Sequence, residues 1–294
     1  MTAAGNPGAP EFVAIGHFSV DQMSWGRALG GTVIYAALTA ARAGRRAGIL
    51  TRGNITDLPR EVRRELETVS GEVDLVIQAS NATTTFTNAE VVDRRVQTLH
   101  AWGGEIDLSG LPPEWRGAEV MHIAPVAQEL DPRGLSRLAP GYLGVTPQGW
   151  VRRWGGRLPS QVRHEPLKLT REQALRFDAL VVSAEELAML REPFDILSRN
   201  GLAVITRGRR GATAFDRGRV IEVEGFPGER VDTTGAGDVF AAMLFLMRGR
   251  GEPVMRSLRF ASASAALSVT GRGISAIPTF EAVEELVEIE DSRP

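Results

Sequence analysis

Short apolar runs alternate with helical segments over most of the chain, and this alternation constrains the fold more than any other feature. Phe12 to Ile15, Ala47 to Leu50, Val73 to Ile77, Val120 to Ile123, Tyr142 to Val145, Ala179 to Val182 and Leu202 to Thr206 are nearly free of polar residues. They predict strands buried on both faces. Between them lie segments with helical spacing. Thr32 to Arg42 places Val33, Ala36, Ala37 and Ala40 on one side and is closed by Gly44. Further helices are predicted over Glu61 to Ser70, Pro132 to Leu138, Gln173 to Phe177, Ala184 to Leu190, Val239 to Met247, Arg256 to Val269 and Glu281 to Ile289. Ala212 to Phe215 and Val220 to Val223 read as a β-hairpin. The pattern implies an α/β fold, doubly wound, with a mainly parallel sheet and helices on both faces.

Two stretches break the rhythm. The segment before residue 35, and Thr83 to Thr87 with Glu90 to His100, are rich in β-branched residues and predict a small sheet at the edge of the main domain. No long linker or internal repeat is visible, so residues 1–294 read as a single domain. Met1 to Pro10 is small, uncharged and Gly/Pro-rich, which predicts a flexible tail. It lacks the basic start and apolar stretch of a secretion signal, so a cytoplasmic location is expected.

Composition excludes several function classes. The chain has no cysteine, which removes disulfides, thiol nucleophiles and thiolate metal sites. A net charge of −2 supplies no electrostatic footprint for nucleic acid, and no apolar run is long enough to span a membrane. Lys168 is the only lysine. P-loops and protein kinases need a lysine at a set position near glycines, and Glu165-Pro166-Leu167-Lys168-Leu169 is not such a setting.

Asp232-Thr233-Thr234-Gly235-Ala236-Gly237-Asp238 is the segment that carries chemistry. It immediately precedes the apolar helix from Val239. Glycines permit unusual backbone angles and close ligand approach. Unpartnered N–H groups at a helix start, with the positive dipole end, form an anion hole suited to a phosphoryl group. Asp238 would sit in the first turn, placed to take a proton from an attacking hydroxyl. A turn capped for structural reasons uses the same residue types, so the segment alone does not choose between the two.

The whole string, followed by an apolar helix, resembles the C-terminal signature of the ribokinase-like (PfkB) carbohydrate kinases. Companion motifs appear in order. Gly30-Gly31 followed by Ala41-Arg42-Ala43-Gly44 resembles the N-terminal signature, and Ser183-Ala184-Glu185-Glu186 is similar to the Asn-x-x-Glu motif. Thr206-Arg207-Gly208-Arg209-Arg210-Gly211 looks like the segment that meets nucleotide phosphates, and Ala261 to Pro278 is similar to the adenine and cation-binding end. Ala82-Thr83-Thr84-Thr85-Phe86, Asp107-Leu108 with Leu111-Pro112, and Gln148-Gly149-Trp150-Val151-Arg152 are similar to the plant myo-inositol kinase branch.

The resemblance implies an ATP-dependent kinase acting on a hydroxyl of a small sugar or polyol, with Asp238 as general base and Gly235, Ala236 and Gly237 as the anion hole. It implies that Asp21, Ser19, Gly31 and Tyr35 meet the substrate and that Thr206, Gly208, Gly211, Ser183 and Ser262 lie on the nucleotide side. Glu186 would help hold Mg²⁺ through water, and Asp232 with Thr234 would border a site for a monovalent cation such as K⁺, near the carbonyls of Val269 and Gly273. Lid segments are expected near residues 17–33 and 80–102, with the lid as a homodimer contact.

Two departures stand out. Ser183 replaces the usual asparagine of the Glu186 motif, and Tyr35 replaces an asparagine that often touches sugar. They leave a nucleoside kinase and a catalytically silent sugar-binding paralogue as alternatives. His17, His100, His122 and His164 show no metal-ligand spacing; His17 is close to Asp21 and so to the expected substrate, but reads rather as a core or surface residue. Trp25 falls in the expected lid; Trp102, Trp115, Trp150 and Trp154 read as packing residues. Gly271-Arg272-Gly273-Ile274-Ser275-Ala276 superficially matches a dinucleotide fingerprint, but Pro278 forbids the required helix.

Overall fold

The computed structural model describes residues 8–23, 25–91 and 94–292. The chain begins with β1 (Phe12–Ile15), β2 (Ser19–Met23), β3 (Gly26–Gly30) and α1 (Thr32–Arg42). Next come β4 (Ala47–Gly53), α2 (Arg60–Glu72), β5 (Asp74–Ala79), β6 (Thr85–Val91) and β7 (Arg94–Ala101). The middle holds β8 (Val120–Ile123), β9 (Tyr142–Val145), α3 (Gln148–Val151), β10 (Arg152–Arg153), β11 (Ser160–Gln161), β12 (Arg163–His164) and α4 (Arg171–Ala174). The last part runs β13 (Ala179–Ser183), α5 (Arg191–Asn200), β14 (Leu202–Thr206), β15 (Ala212–Asp216), β16 (Arg219–Val223), α6 (Ala236–Gly249), α7 (Val254–Ser268) and α8 (Phe280–Asp291).

Nine strands form the main sheet, in the order β16-β15-β14-β13-β9-β8-β1-β4-β5. From β14 to β5 every pairing is parallel, and β15 is antiparallel to both its neighbours. The doubly wound expectation is met, with the predicted hairpin closing one edge. Strand β1 shows why its apolar run is continuous. Phe12 and Ala14 pack with α1, α6 and α7 on one face, while Val13 and Ile15 join Trp115, Trp150 and Phe194 on the other.

The two stretches that broke the rhythm supply four strands of a separate five-stranded sheet, β11-β7-β6-β2-β3, and the short β11 joins them from the middle of the chain. This sheet is tied to the main sheet by buried polar groups. Glu129, fully buried, accepts the N–H groups of His17 at 2.8 Å, Val126 at 2.8 Å and Ala127 at 2.6 Å. Thr51 Oγ1 accepts the N–H of Phe18 at 2.9 Å. These bonds fix the chain as it leaves the carboxyl end of β1 for β2. His17 is buried, which settles the core-or-surface alternative for the core, with Nδ1 2.8 Å from Thr84 Oγ1.

Several sequence expectations need correction. Residues 184–190 are not an α-helix; only a 3-10 turn forms over Leu187–Met189, and the helix follows it as α5. Pro193 masks that helix in the sequence, yet it lies in the first turn, where a missing N–H costs nothing. The helix expected over Gln173 to Phe177 is α4, begun earlier by a reciprocal cap between Thr170 and Gln173. Pro132 to Leu138 is a 3-10 segment ending at Arg137. Of the expected tail, residues 1–7 lie outside the described residues, and Pro10 is buried.

Candidate active site at the head of the buried helix

Helix α6 is buried from Val239 to Met247 and begins at the carboxyl edge of the parallel strands, where open α/β sheets bind ligands. Its position is set from below by Tyr35. Gly235 has φ +78°, and a Cβ there would lie 2.3 Å from the Tyr35 ring, so only glycine fits. A Cβ at Gly237 would meet nothing within 4 Å, because this residue borders open space. The first-turn N–H groups of Gly237 and Asp238 have no acceptor inside the helix, whereas Ala236 bonds to the Thr233 carbonyl at 3.4 Å. The hole is therefore built chiefly by Gly237 and Asp238, with Ala236 partly engaged.

Asp238 Oδ1 accepts the hydroxyl of Thr32 at 2.9 Å, which joins the heads of α6 and α1. Burial, opposed by this hydrogen bond, pushes the Asp238 carboxyl up to about 7; the charge of Glu186 adds to the rise, Arg152 opposes it, and Asp21 adds a smaller push. A carboxylate so placed suits a general base at neutral pH. Burial, with Asp21 and Asp238 next in effect, pushes the Tyr35 phenol far above its ordinary range, so it stays a neutral donor.

Three cavities open at this point. The first cavity, about 430 Å³, is lined by Asp21, Gly31, Tyr35, Phe86, Asn88 and Asp238 among others. Ser19 also lines it and donates to Asp21 Oδ1 at 3.0 Å. Gly31 has φ +97°, and a Cβ would lie 2.4 Å from the His17 carbonyl oxygen. A second cavity, about 550 Å³, is lined by Ser183, Glu186, Thr206 and Asp238. The third is a cleft of about 190 Å³ lined by Thr206, Gly208, Gly211, Arg230 and Ser262. Gly237 borders all three, and Asp238 borders the two larger ones.

Ser183 does not leave Glu186 unsupported. Its N–H and hydroxyl donate to Glu186 Oε2 at 3.0 and 2.9 Å, in the manner of a short cap. Magnesium binds few protein carboxylates and keeps several waters, so one oriented glutamate fits it. Asp232 is gathered with Thr234, Val269 and Gly273 as expected. Its Oδ1 accepts the Thr234 N–H at 2.9 Å and its Oδ2 the Gly273 N–H at 3.4 Å. The Val269 carbonyl accepts the N–H groups of Val231 and Asp232.

Trp25 is 57% exposed and lines none of the three cavities; it lies beneath the Arg272 guanidinium, 6.0 Å away. Sequence reasoning missed Thr32, Glu129 and Arg152 as parts of this assembly. Thr32 had a signal, as the first residue of a helix after a glycine pair, and Arg152 ends the stretch Gln148 to Arg152 already likened to the myo-inositol kinase branch; Glu129 had none beyond its residue type.

The profile of the pfkB family carbohydrate kinases matches residues 176–279. The cytidine kinase of Thermococcus kodakarensis is 30% identical over 272 residues, covering 85% of this chain and 92% of the relative. The chain belongs to the pfkB family. Ribokinase from Bacillus subtilis is 39% identical over 84 residues, 28% of this chain and 29% of the relative. A solved structure of a pyrophosphate-dependent myo-inositol kinase superposes with a TM-score of 0.76 at 21% identity, covering 95% of this chain and 99% of the other, which shows a shared fold. This pfkB kinase is thus a phosphotransferase with an alcohol acceptor, of the ribokinase-like sugar and nucleoside kinase group. Among its described residues, no helix is long and apolar enough to cross a membrane.

Proposed function

We propose that the chain transfers the γ-phosphoryl group of ATP to a hydroxyl of a small sugar or polyol, of which myo-inositol is one candidate. The convergence of three cavities on Gly237, two of them sharing Asp238, carries this reading. Asp21, supported by Ser19, orients the acceptor by taking hydrogen bonds from two of its hydroxyls. Asp238 takes the proton of the attacked hydroxyl, and Thr32 holds the carboxylate in place. The N–H groups of Gly237 and Asp238 receive the growing negative charge of the transferred group. Glu186 holds Mg²⁺ through water, and that ion supplies neutralisation of the donor phosphates. The segment Gly208 to Gly211, with Ser262, borders the donor, and Asp232 with Thr234 borders a monovalent cation such as K⁺. Residues 17–33 and 80–102 act as the lid, excluding water so that hydrolysis does not compete.

A second reading, a nucleoside acceptor, has one specific observation in its favour. Met23, Phe86, Ala89 and Val126 give the acceptor cavity apolar lining against which a base could pack, and the relative matched over most of its length is a cytidine kinase. The test is product formation with ATP and Mg²⁺ against a panel of polyols, sugars and nucleosides, with pyrophosphate as a second donor. Highest kcat/KM on a polyol or sugar is expected. A nucleoside as best acceptor would replace the first reading with the second, and no transfer on any acceptor would favour a silent binding protein.

A further inference from the structure

The acceptor cavity and the cavity beside Glu186 share a wall made by Gln97, Gln148, Arg152, Gly237 and Asp238. Gly237 also borders the cleft of Gly208 to Gly211, so the phosphate end of a donor bound there, with Mg²⁺ at Glu186, would reach this wall on its way to the acceptor. The two cavities are also lined by Asp21, Glu185 and Glu186, so they present four carboxylates in all with Asp238. A phosphoryl group carrying about two negative charges needs cations on such a path. Among the described residues lining the two cavities, Arg152 is the only lysine or arginine. Lys168, the only lysine of the chain, is exposed and lines neither.

Arg152 is held, not loose. It starts β10 directly after the short helix α3 and is 8% exposed. One nitrogen, Nη1, donates to the Val126 carbonyl at 2.7 Å, and the guanidinium carbon lies 5.2 Å from the centre of the Phe86 ring. The carbonyl and the lid phenylalanine orient the planar group. Its charge also reaches Asp238, whose carboxyl it favours in the ionised form.

We infer that Arg152 is a further catalytic residue, whose guanidinium binds the phosphoryl group in flight between the two cavities. This rests on the proposed phosphoryl transfer at Asp238. In the step, the acceptor oxygen forms its bond to the γ-phosphorus and its proton passes to the Asp238 carboxylate. The bond from that phosphorus to the bridging oxygen breaks, and its electron pair leaves with ADP. Arg152 gives hydrogen bonds to the equatorial oxygens, where charge is greatest midway.

The experiment compares wild type, Arg152→Met and Arg152→Lys with ATP, Mg²⁺ and the best acceptor of the panel. The expected result for Arg152→Met is a fall in kcat of about 100- to 1,000-fold, with both KM values little changed. Lysine keeps the charge but cannot bond Val126 and a phosphoryl oxygen as a fork, so Arg152→Lys should lose at least about tenfold in kcat. The acid limb of the kcat/KM profile should move to higher pH in Arg152→Met, because Asp238 then lacks its cation and still faces Glu186 and Asp21. That shift follows from the lost charge alone, so the fall in kcat at unchanged KM, and the tenfold loss with lysine, are what separate a catalytic arginine from a structural one. Wild-type kcat in Arg152→Lys, or a loss confined to the acceptor KM, would overturn the inference while leaving the kinase reading intact; this holds even if the methionine variant fails to fold. No transfer by the wild-type protein on any acceptor would overturn both.

Discussion

Replacing Asp238 by asparagine should abolish most activity and at the same time stabilise the protein, and the two effects have one cause. The carboxyl is pushed up from its ordinary 3.8 to about 7, chiefly by burial. That gap corresponds to about 4 kcal/mol against the folded, ionised state. The sign follows from proton binding. Between pH 4 and 7 the folded chain keeps the Asp238 proton while the unfolded chain releases it, so stability from this group falls as pH rises through that window. Below pH 4 the contribution is fully present; above about pH 7 it is gone. Asparagine does not titrate and can still accept the Thr32 hydroxyl. Thermal melts of Asp238→Asn and wild type should therefore nearly coincide at pH 4 and diverge toward pH 8, the variant being the more stable. Turnover of the variant should fall about 10²- to 10⁴-fold with loss of the base. The wild-type acid limb should lie near pH 7, with roughly a tenth of full kcat/KM at pH 6. A stability difference that does not change from pH 4 to 8 would show that Asp238 is not buried as described, and retention of full turnover by the variant would show that it is not the base.

The glycines of the same loop should separate folding from function. Gly235→Ala meets the Tyr35 ring and a left-handed backbone, and should cost about 2–5 kcal/mol in denaturant unfolding. Gly237→Ala meets only open space, so its melting temperature should hold while turnover falls about 10²-fold or more as the methyl group enters the cavities. Glu186→Gln should raise the Mg²⁺ concentration for half-maximal activity about 10- to 100-fold, read from a metal titration. Glu129→Leu leaves three buried N–H groups without an acceptor and should cost about 3–6 kcal/mol, measured by urea unfolding.

Much of the fold was legible because its signals are local. The bounds of β1, β8, β9 and β14 and of α1 follow from unbroken apolar runs and from alanine-rich spacing beside glycines. Residues 184–200 were misread because Pro193 interrupts the pattern and because Ser183 and Glu186 bond to each other in a turn, not a helix. In the site, the loop from Asp232 to Asp238 stood out because its glycines, helix start and carboxylate are contiguous. Thr32 and Arg152 sat in recognisable stretches whose link to Asp238 is not contiguous in the chain, and Glu129 sat in none.

The linear order of residues settles the layered α/β class, the absence of thiol and P-loop chemistry, and the identity of the loop that heads α6. Each of these rests on spacing within a few turns of chain. Packing alone brings Thr32 within 2.9 Å of Asp238, 206 residues away in the chain. Packing alone also buries that carboxyl enough to raise it to about 7 and sets Arg152 into the wall between two cavities. Desolvation and long-range charge depend on what surrounds a group in space, and no spacing in the sequence encodes them directly.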